Sequence, residues 1–339
     1  MASLRFWVII NPMNKPKRGL GLLSGGLDSM LAATVLKAQG VDVTAIFFIT
    51  PFFGPSRAKA SAAHLQLPLI LEDITDKFYP LIYAPPRGFG RGHNPCIDCH
   101  LLMLREAAAR MEPEGFDFLF TGEVLGQRPM SQNRGSLNLI ARESGVPELL
   151  LRPLSARLLA PTRPELLGWV DREKLLDLSG RGRKRQMALA AAYGITDYPA
   201  PAGGCLLTDP NYAARLKETL RHQPEVSRRD LELLKWGRHF RLPGGMKAVV
   251  GRTQRDNEAM EKLIEPWDRV LKVAGHPGPL VLVLGNPVAS DLELAAGLAA
   301  AYSDARTETP VAVTVQAGAE NSLLHLATPL KSRFKDWLV

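Results

Sequence analysis

The chain has 339 residues, 46% of them hydrophobic and 22% charged, which excludes a disordered or fibrous protein and leaves room for two cores, since single cores stop growing near ~250–300 residues. Forty-two Lys and Arg stand against 34 Asp and Glu, a net charge of +8 that favours a polyanionic partner, nucleic acid first. No apolar run approaches the ~18–20 residues of a membrane-spanning helix, and residues 6–10 are too short for a signal-peptide core, so a cytoplasmic protein without membrane contact is expected.

Taken in chain order, residues 1–16 read as an N-terminal extension, and GLGLLSGGLDSMLAATVLKAQG then reads as a strand, a glycine turn and a helix ending at Gly40. The β-branched and aromatic run at 41–50 predicts a second strand, 57–67 a helix, and 69–71 a short strand. A Gly-, Pro- and Arg-rich stretch at 79–95 has no period and predicts a functional loop; helical spacing resumes at 99–110 and a strand follows at 116–120. Residues 172–193 predict one basic helix, after which PAPAGGCLLTDP is irregular. Strands alternating with helices predict an α/β domain over 17–220, with a parallel sheet covered on both faces. Beyond it the texture changes. A hairpin at HFRLPGGMKAVVGR, a helix at 253–264, a strand at 280–284, an alanine-rich helix at 292–302 and a strand at 310–316 predict a smaller α+β domain over 221–339.

Ser24-Gly25-Gly26-Leu27-Asp28-Ser29 is the most specific local pattern. It could be an ordinary strand-to-helix turn. Its composition also suits an anion cradle: glycines admit a phosphate close to the backbone, helix-start amides point at it, Ser24 and Ser29 add hydroxyls, and Asp28 can hold Mg²⁺. No lysine completes a Walker loop, and the dinucleotide GxGxxG is absent. The loop resembles the PP-loop, SGGxDS, of the ATP pyrophosphatase superfamily, whose members split ATP between the α and β phosphates and place AMP on a carbonyl oxygen.

Thr121-Gly122-Glu123-Val124-Leu125-Gly126-Gln127, then Ser131-Gln132 and Leu150-Leu151-Arg152-Pro153-Leu154, resemble segments of tRNA 4-thiouridine synthetases. That resemblance implies ATP bound by Ser24, Gly25, Gly26, Asp28, Ser29, Thr121 and Gly122, with Asp28, Glu123 and Gln127 lining the reacting cleft. It also implies a uridine of tRNA as the substrate. The chemistry is coherent, because a uracil carbonyl oxygen leaves poorly by itself and readily as AMP.

Three cysteines are an odd number and make no disulfide framework. Cys96 and Cys99 form a CxxC pair, and Cys205 sits in a distant glycine turn. Three thiolates can hold three irons of a 4Fe-4S cluster and leave the fourth open. The same residues also permit Zn²⁺ closed by His93 or His100, or a metal-free persulfide on Cys99 resolved by Cys205. The trio is similar to that of cluster-dependent tRNA thiolases, which implies Cys96, Cys99 and Cys205 as cluster ligands and Cys99 and Cys205 as catalytic residues.

Arg172, Lys174, Arg181, Arg183, Lys184 and Arg185 form a basic stretch that can track RNA phosphates or simply face solvent, and Arg87 and Arg91 beside Phe89 can contact RNA or cap the site. The segments GGMKAVVGRTQRDNEAM, HPGPLVLVL, LELAAGLAAAYSDAR and VAVTV resemble an NFACT-R type RNA-binding domain, in which Arg252, Arg255, Asn257 and His276 fall on polar positions. Neither the THUMP-like segment nor the rhodanese-like domain of many 4-thiouridine synthetases is recognised. A basic C-terminal domain is therefore expected to grip tRNA, and the sulfur donor is left open between a cysteine desulfurase and free sulfide. Synthesis of 2-thiouridine or 2-thiocytidine, amidation by a PP-loop ligase, and nucleotide sensing by a non-catalytic RNA-binding protein are the rival functions.

Overall fold

The computed structural model describes residues 15–199 and 204–339. Most of the expected N-terminal extension and part of the PAPAGG segment lie outside them. Two compact units divide the chain after Cys205.

The first unit runs β1 (Arg18–Leu22), α1 (Leu27–Lys37), β2 (Asp42–Ile49), α2 (Ser56–Leu65), β3 (Leu69–Asp73), α3 (Thr75–Tyr83) and α4 (Cys96–Glu114). It continues through β4 (Phe118–Thr121), α5 (Arg134–Glu143), β5 (Leu150–Leu151), α6 (Arg163–Leu166) and α7 (Lys184–Ala192). The five strands make a parallel sheet in the order β3-β2-β1-β4-β5. Leu27, Met30, Leu31 and Val35 of α1 and Ala190 of α7 pack with Phe118 and Phe120 in one core, while Leu104, Ala107 and Met111 of α4 pack with Leu20, Ile46 and Phe48 in another. Both faces are thus covered, which explains the nearly continuous apolar sequence of β2.

Strand order decides where a ligand can sit. The chain leaves β1 toward β2 and β3 on one side and returns to β4 and β5 on the other, so the crevice opens beyond the carboxyl ends of β1 and β4. Ser24–Ser29 follows β1 and Thr121–Gln127 follows β4.

The expected basic helix over 172–193 is corrected. Helix α7 begins only at Lys184, because Leu178 N–H is bonded to Leu154 O, Gly180 N–H to Leu125 O, and Gly180 has φ +78°. Ser179 and Gly180 are thereby tied to the loop after β4, and helix bonding begins only with the Arg183 carbonyl, which accepts from Met187 N–H.

The second unit contains α8 (Pro210–His222), α9 (Arg228–Leu233), β6 (Arg238–Arg241), β7 (Lys247–Val250), α10 (Gln254–Glu261), β8 (Arg269–Val273), β9 (Val281–Val283), α11 (Ala289–Ala301), β10 (Pro310–Ala317) and β11 (Glu320–Ala327). Its sheet is antiparallel, β11-β10-β8-β9-β7-β6. The alanine face of α11 lies on one side; Leu233 of α9 and Met260 of α10 share the other core. The division falls before α8 and not near residue 220, because Tyr212 donates to Leu231 O at 2.9 Å and Arg215 donates to Leu234 O and Gly237 O at 2.9 and 3.1 Å. No described helix is long and apolar enough to cross a membrane.

Candidate functional site

Helix α1 starts at Gly26 as N-cap without any side-chain cap, so its first amides remain available to an anion. Ser29 donates to Gly26 O at 2.8 Å, and its hydroxyl lies 3.2 Å from that of Ser24, which accepts from Gly26 N–H at 3.3 Å. Gly25 has φ +76°, and a Cβ there would lie 2.6 Å from Arg57 C and 2.8 Å from Ala58 N in the first turn of α2. Only glycine fits both the backbone conformation and that approach.

Gly122 makes the second close approach: a Cβ on it would lie 2.5 Å from Ser29 N and 2.6 Å from Asp28 C. The loop after β4 therefore rests directly on the first turn of α1. From that loop Gln127 Nε2 donates to Asp28 Oδ2 at 2.8 Å. Burial raises the Asp28 carboxyl above its usual range, opposed by the Gln127 hydrogen bond and by the charges of Arg183 and Arg128. Asp28 Oδ1, Gln127 Oε1, Ser131 Oγ, Gln132 Oε1 and Arg183 Nε are all buried without a hydrogen-bond partner among the described residues. Buried polar atoms usually find partners, and three of these belong to side chains joined at the cradle, Asp28 with Gln127 by a hydrogen bond and with Arg183 by charge, which suits a polar ligand.

Glu123 faces the other way. It is 4% exposed; Arg152 Nε donates to its Oε2 at 2.8 Å, Thr121 Oγ1 donates to the same oxygen at 3.0 Å, and His100 Nδ1 meets Oε1 at 2.9 Å. Burial works to raise this carboxyl, but the Arg152 charge, and then the His100 hydrogen bond and charge, outweigh it and hold the pKa at about 2. Both oxygens are thus engaged by the protein. His100 follows Cys99 directly on α4, so Gly122 and Glu123, adjacent in sequence, touch the phosphate cradle and the cysteine helix respectively.

Cys96 and Cys99 lie in the first turn of α4, Asn94 donates to Cys96 Sγ at 3.0 Å, and the three cysteines are thiols of intermediate burial. Burial pushes the Cys99 thiol well up, reinforced by Cys205, then Cys96, then Asp98. The three sulfurs thus lie within electrostatic reach of one another. Among the described residues, however, no group of three His, Cys, Asp or Glu side chains is arranged to hold a metal ion. The zinc candidates are otherwise engaged: His93 Nε2 meets Ile82 O at 2.6 Å with its ring stacked on Phe89, and His100 is held by Glu123.

Arg87 donates from its backbone and from Nη1 to Asp98 at 3.0 and 2.7 Å and also pairs with Glu143, so it braces α4. Of the basic stretch, Arg181 and Lys184 are exposed and Arg185 pairs with Asp177 at 2.5 Å, whereas Arg183 is drawn toward Asp28. Arg183, expected among the RNA-binding residues, is also close enough for its charge to act on Asp28; the pairing of Leu125 with Ser179, which ties its loop to the one after β4, spans 54 positions and leaves no local signal.

In the second unit Arg252 pairs with Asp256 at 2.8 Å, Asn257 Oδ1 accepts from Leu280 N–H at 3.1 Å, and Arg255 lies 5.9 Å from the Trp236 ring. The unit is not strongly basic: from Leu206 onward 18 Lys and Arg stand against 16 Asp and Glu, leaving most of the excess, 24 against 18, on the first unit.

Comparison with known proteins agrees with these two units. Residues 15–157 match the family described as thiamine biosynthesis protein (ThiI), and residues 237–338 match the NFACT protein RNA binding domain. A probable tRNA sulfurtransferase of Methanosarcina mazei is 26% identical over 200 residues, 49% of either chain. A tRNA-specific 2-thiouridylase MnmA of Desulfosudis oleivorans is 33% identical over 85 residues, 23% of this chain and 24% of the other. A solved 4-thiouridine synthetase–RNA complex with bound ATP aligns at TM-score 0.38 and 20% identity, covering 65% of this chain and 52% of that one. The chain spans about half the length, or less, of these relatives. It carries a ThiI-type PP-loop domain over residues 15–157 and an NFACT-R-type domain over residues 237–338.

Proposed function

We propose that the protein is an ATP-dependent tRNA thiolase of the 4-thiouridine type. The observation that carries this reading is the junction at Gly122-Glu123, where one residue seats on the anion cradle and the next holds the helix that bears Cys96 and Cys99. Adenylation and sulfur delivery need adjacent sites, and this loop adjoins both. The tRNA-modifying relatives support the same class of substrate.

In this reading the bare amides of α1, Gly25, Gly26 and the Ser24 and Ser29 hydroxyls hold the triphosphate of ATP, with Thr121 and Gly122 closing the far wall. Asp28 fits Mg²⁺: a hard cation takes a carboxylate, and Oδ1 is buried without a partner. Arg183 and Arg128 add positive charge where pyrophosphate departs. Glu123 is ionised throughout the neutral range, so it positions Arg152 and His100 and does not donate a proton. Gln127 links the cradle to the loop where the uracil would enter.

Cys96, Cys99 and Cys205 would hold a 4Fe-4S cluster; three free thiols of intermediate burial are the soft donor set that such a cluster takes, and this is the fit. When bound, the cluster would supply a soft sulfur nucleophile at neutral pH. Hydrosulfide then forms the carbon–sulfur bond as the carbon–oxygen bond to AMP breaks; AMP leaves with the bonding electrons, and the hydrosulfide proton passes to the ring nitrogen of the thiouracil. A Cys99 persulfide, resolved as a Cys99–Cys205 disulfide, is the metal-free version of the same transfer. The cytoplasm, where tRNA is found, is the expected compartment.

Nucleoside mass spectrometry of tRNA from a strain lacking the protein tests the reading. Loss of 4-thiouridine is expected; loss of 2-thiouridine or 2-thiocytidine instead would move the target, and an unchanged thionucleoside profile would remove thiolation.

A further inference from the structure

Within the second unit an open surface groove of about 350 Å³ lies between Glu232 and Trp236 on one side and Arg255, Glu258 and Lys262 on the other. That volume is in the range of small-ligand sites, ~300–1,000 Å³. The Arg255 guanidinium sits over the Trp236 indole, 5.9 Å from its centroid, and among the described residues makes no hydrogen bond or ion pair. Its neighbour Arg252, by contrast, is held by Asp256. A guanidinium laid over a half-buried indole, with its hydrogen-bond donors unused, presents a planar outer face of the kind on which unpaired bases stack.

The rim supplies the rest of a base's requirements. Glu258 accepts one hydrogen bond from Gln254 Nε2 at 3.0 Å, and Glu232 pairs with Lys235, leaving further acceptor lone pairs on both carboxylates. Carboxylates accept from amino groups and repel carbonyl oxygens, so adenine, guanine and cytosine are favoured there over uracil. Exposed Lys262 offers a cation for the adjoining phosphate. The near balance of charge in this unit matters as well: counterion release alone gives it little grip on RNA, and stacking has to contribute.

We propose that Trp236 and Arg255 form a stacking platform for a single unpaired nucleobase of RNA, with selectivity for bases that carry an amino group. This rests on the RNA-modifying function proposed above and names how the second unit holds its substrate.

The test uses the full-length protein, titrated with single-stranded oligoadenylate and oligouridylate pentamers by tryptophan fluorescence and with whole tRNA by filter binding. Oligoadenylate is expected to bind more tightly than oligouridylate. Arg255→Ala, a change at an exposed side chain, should weaken oligoadenylate binding about 10-fold, the size of one lost stack. Trp236→Phe should keep most of the affinity and Trp236→Leu lose it, while Glu258→Gln should narrow the preference for adenylate. If wild type and both Arg255→Ala and Trp236→Leu bind tRNA and oligoadenylate equally, the stacking platform is wrong and the enzymatic proposal stands. A fluorescence response to an arginine-rich peptide that RNA cannot displace would make the groove a peptide site instead. Failure of the wild type to bind tRNA at all would remove both proposals.

Discussion

The two units handle their polar groups in opposite ways. At Asp28 and on the loop after β4 the first unit leaves buried polar atoms unsatisfied, beside an uncapped helix start, whereas in the second unit the buried charges are mostly paired internally: Lys247 with Glu218 at 3.0 Å, Arg241 Nε with the same carboxylate at 2.5 Å, and Arg229 with Asp268, with Arg241 Nη2 and His239 Nδ1 left without partners among the described residues. Unsatisfied groups cost stability unless a ligand completes them, and completed groups stabilise whether or not a ligand is present. The unsatisfied groups of the first unit mark where a polar ligand is expected, and the ion pairs of the second hold its fold.

The largest effect should come from the cradle itself. Gly122→Ala forces a methyl group against the backbone of Asp28 and Ser29 and is expected to lower tRNA-dependent pyrophosphate release by about 1,000-fold, comparable to losing a preorganised set of anion donors. Circular dichroism would show the fold retained; near-normal release would mean that the close approach is incidental.

Next comes Glu123, the one fully satisfied carboxylate beside the cradle. Its pKa in the fold is about 2 against an ordinary 4.5, so its stabilisation is complete above pH 4.5 and disappears as the pH falls toward 2. Glu123→Gln leaves Arg152 buried and unpaired and should destabilise the protein by about 3 kcal/mol in denaturant titration, with a flatter acid limb.

The second unit offers the reverse sign. Burial lowers Lys247 from 10.5 to about 8 despite Glu218, so between those values the unfolded chain binds a proton that the folded chain has released. Stability of this unit should therefore rise from pH 8 toward 10.5, by about 2 kcal/mol, read as slower hydrogen exchange of β7 amides after correction for the intrinsic rate. Lys247→Met should abolish the rise. Smallest of these effects is a pair of arginines two positions apart: Arg183→Ala should raise the KM for ATP about 10-fold, and Arg185→Ala, which breaks only an exposed ion pair, should leave it unchanged.

The same contrast explains what could be read from the residues alone. The strand-loop-helix around Ser24–Ser29, the parallel sheet and the C-terminal hairpin are local patterns, and each occurs where the pattern falls. Strands β8 and β11 were not anticipated: RVLKV is short, and ENSLLHLA is an exposed edge whose pairing with β10 gives it order. Helix α8 read as part of the first domain because nothing in its own sequence records that Arg215 reaches the carbonyls of Leu234 and Gly237. Arg183 and Glu123 were legible as polar residues in suggestive motifs. Their partners, Asp28 for one and Arg152 with His100 for the other, lie 155, 29 and 23 positions away and are set by the crossover topology.

Pyrophosphate release and thionucleoside formation, followed together under anaerobic conditions with ATP, Mg²⁺, sulfide and tRNA, separate the two halves of the proposed reaction in one experiment. Wild type should do both, and Cys99→Ser and Cys205→Ser should still release pyrophosphate in a tRNA-dependent single turnover while forming no thiolated uridine. Thiolation that survives loss of those cysteines, or pyrophosphate release indifferent to tRNA, would contradict an adenylating cradle coupled to cysteine-delivered sulfur.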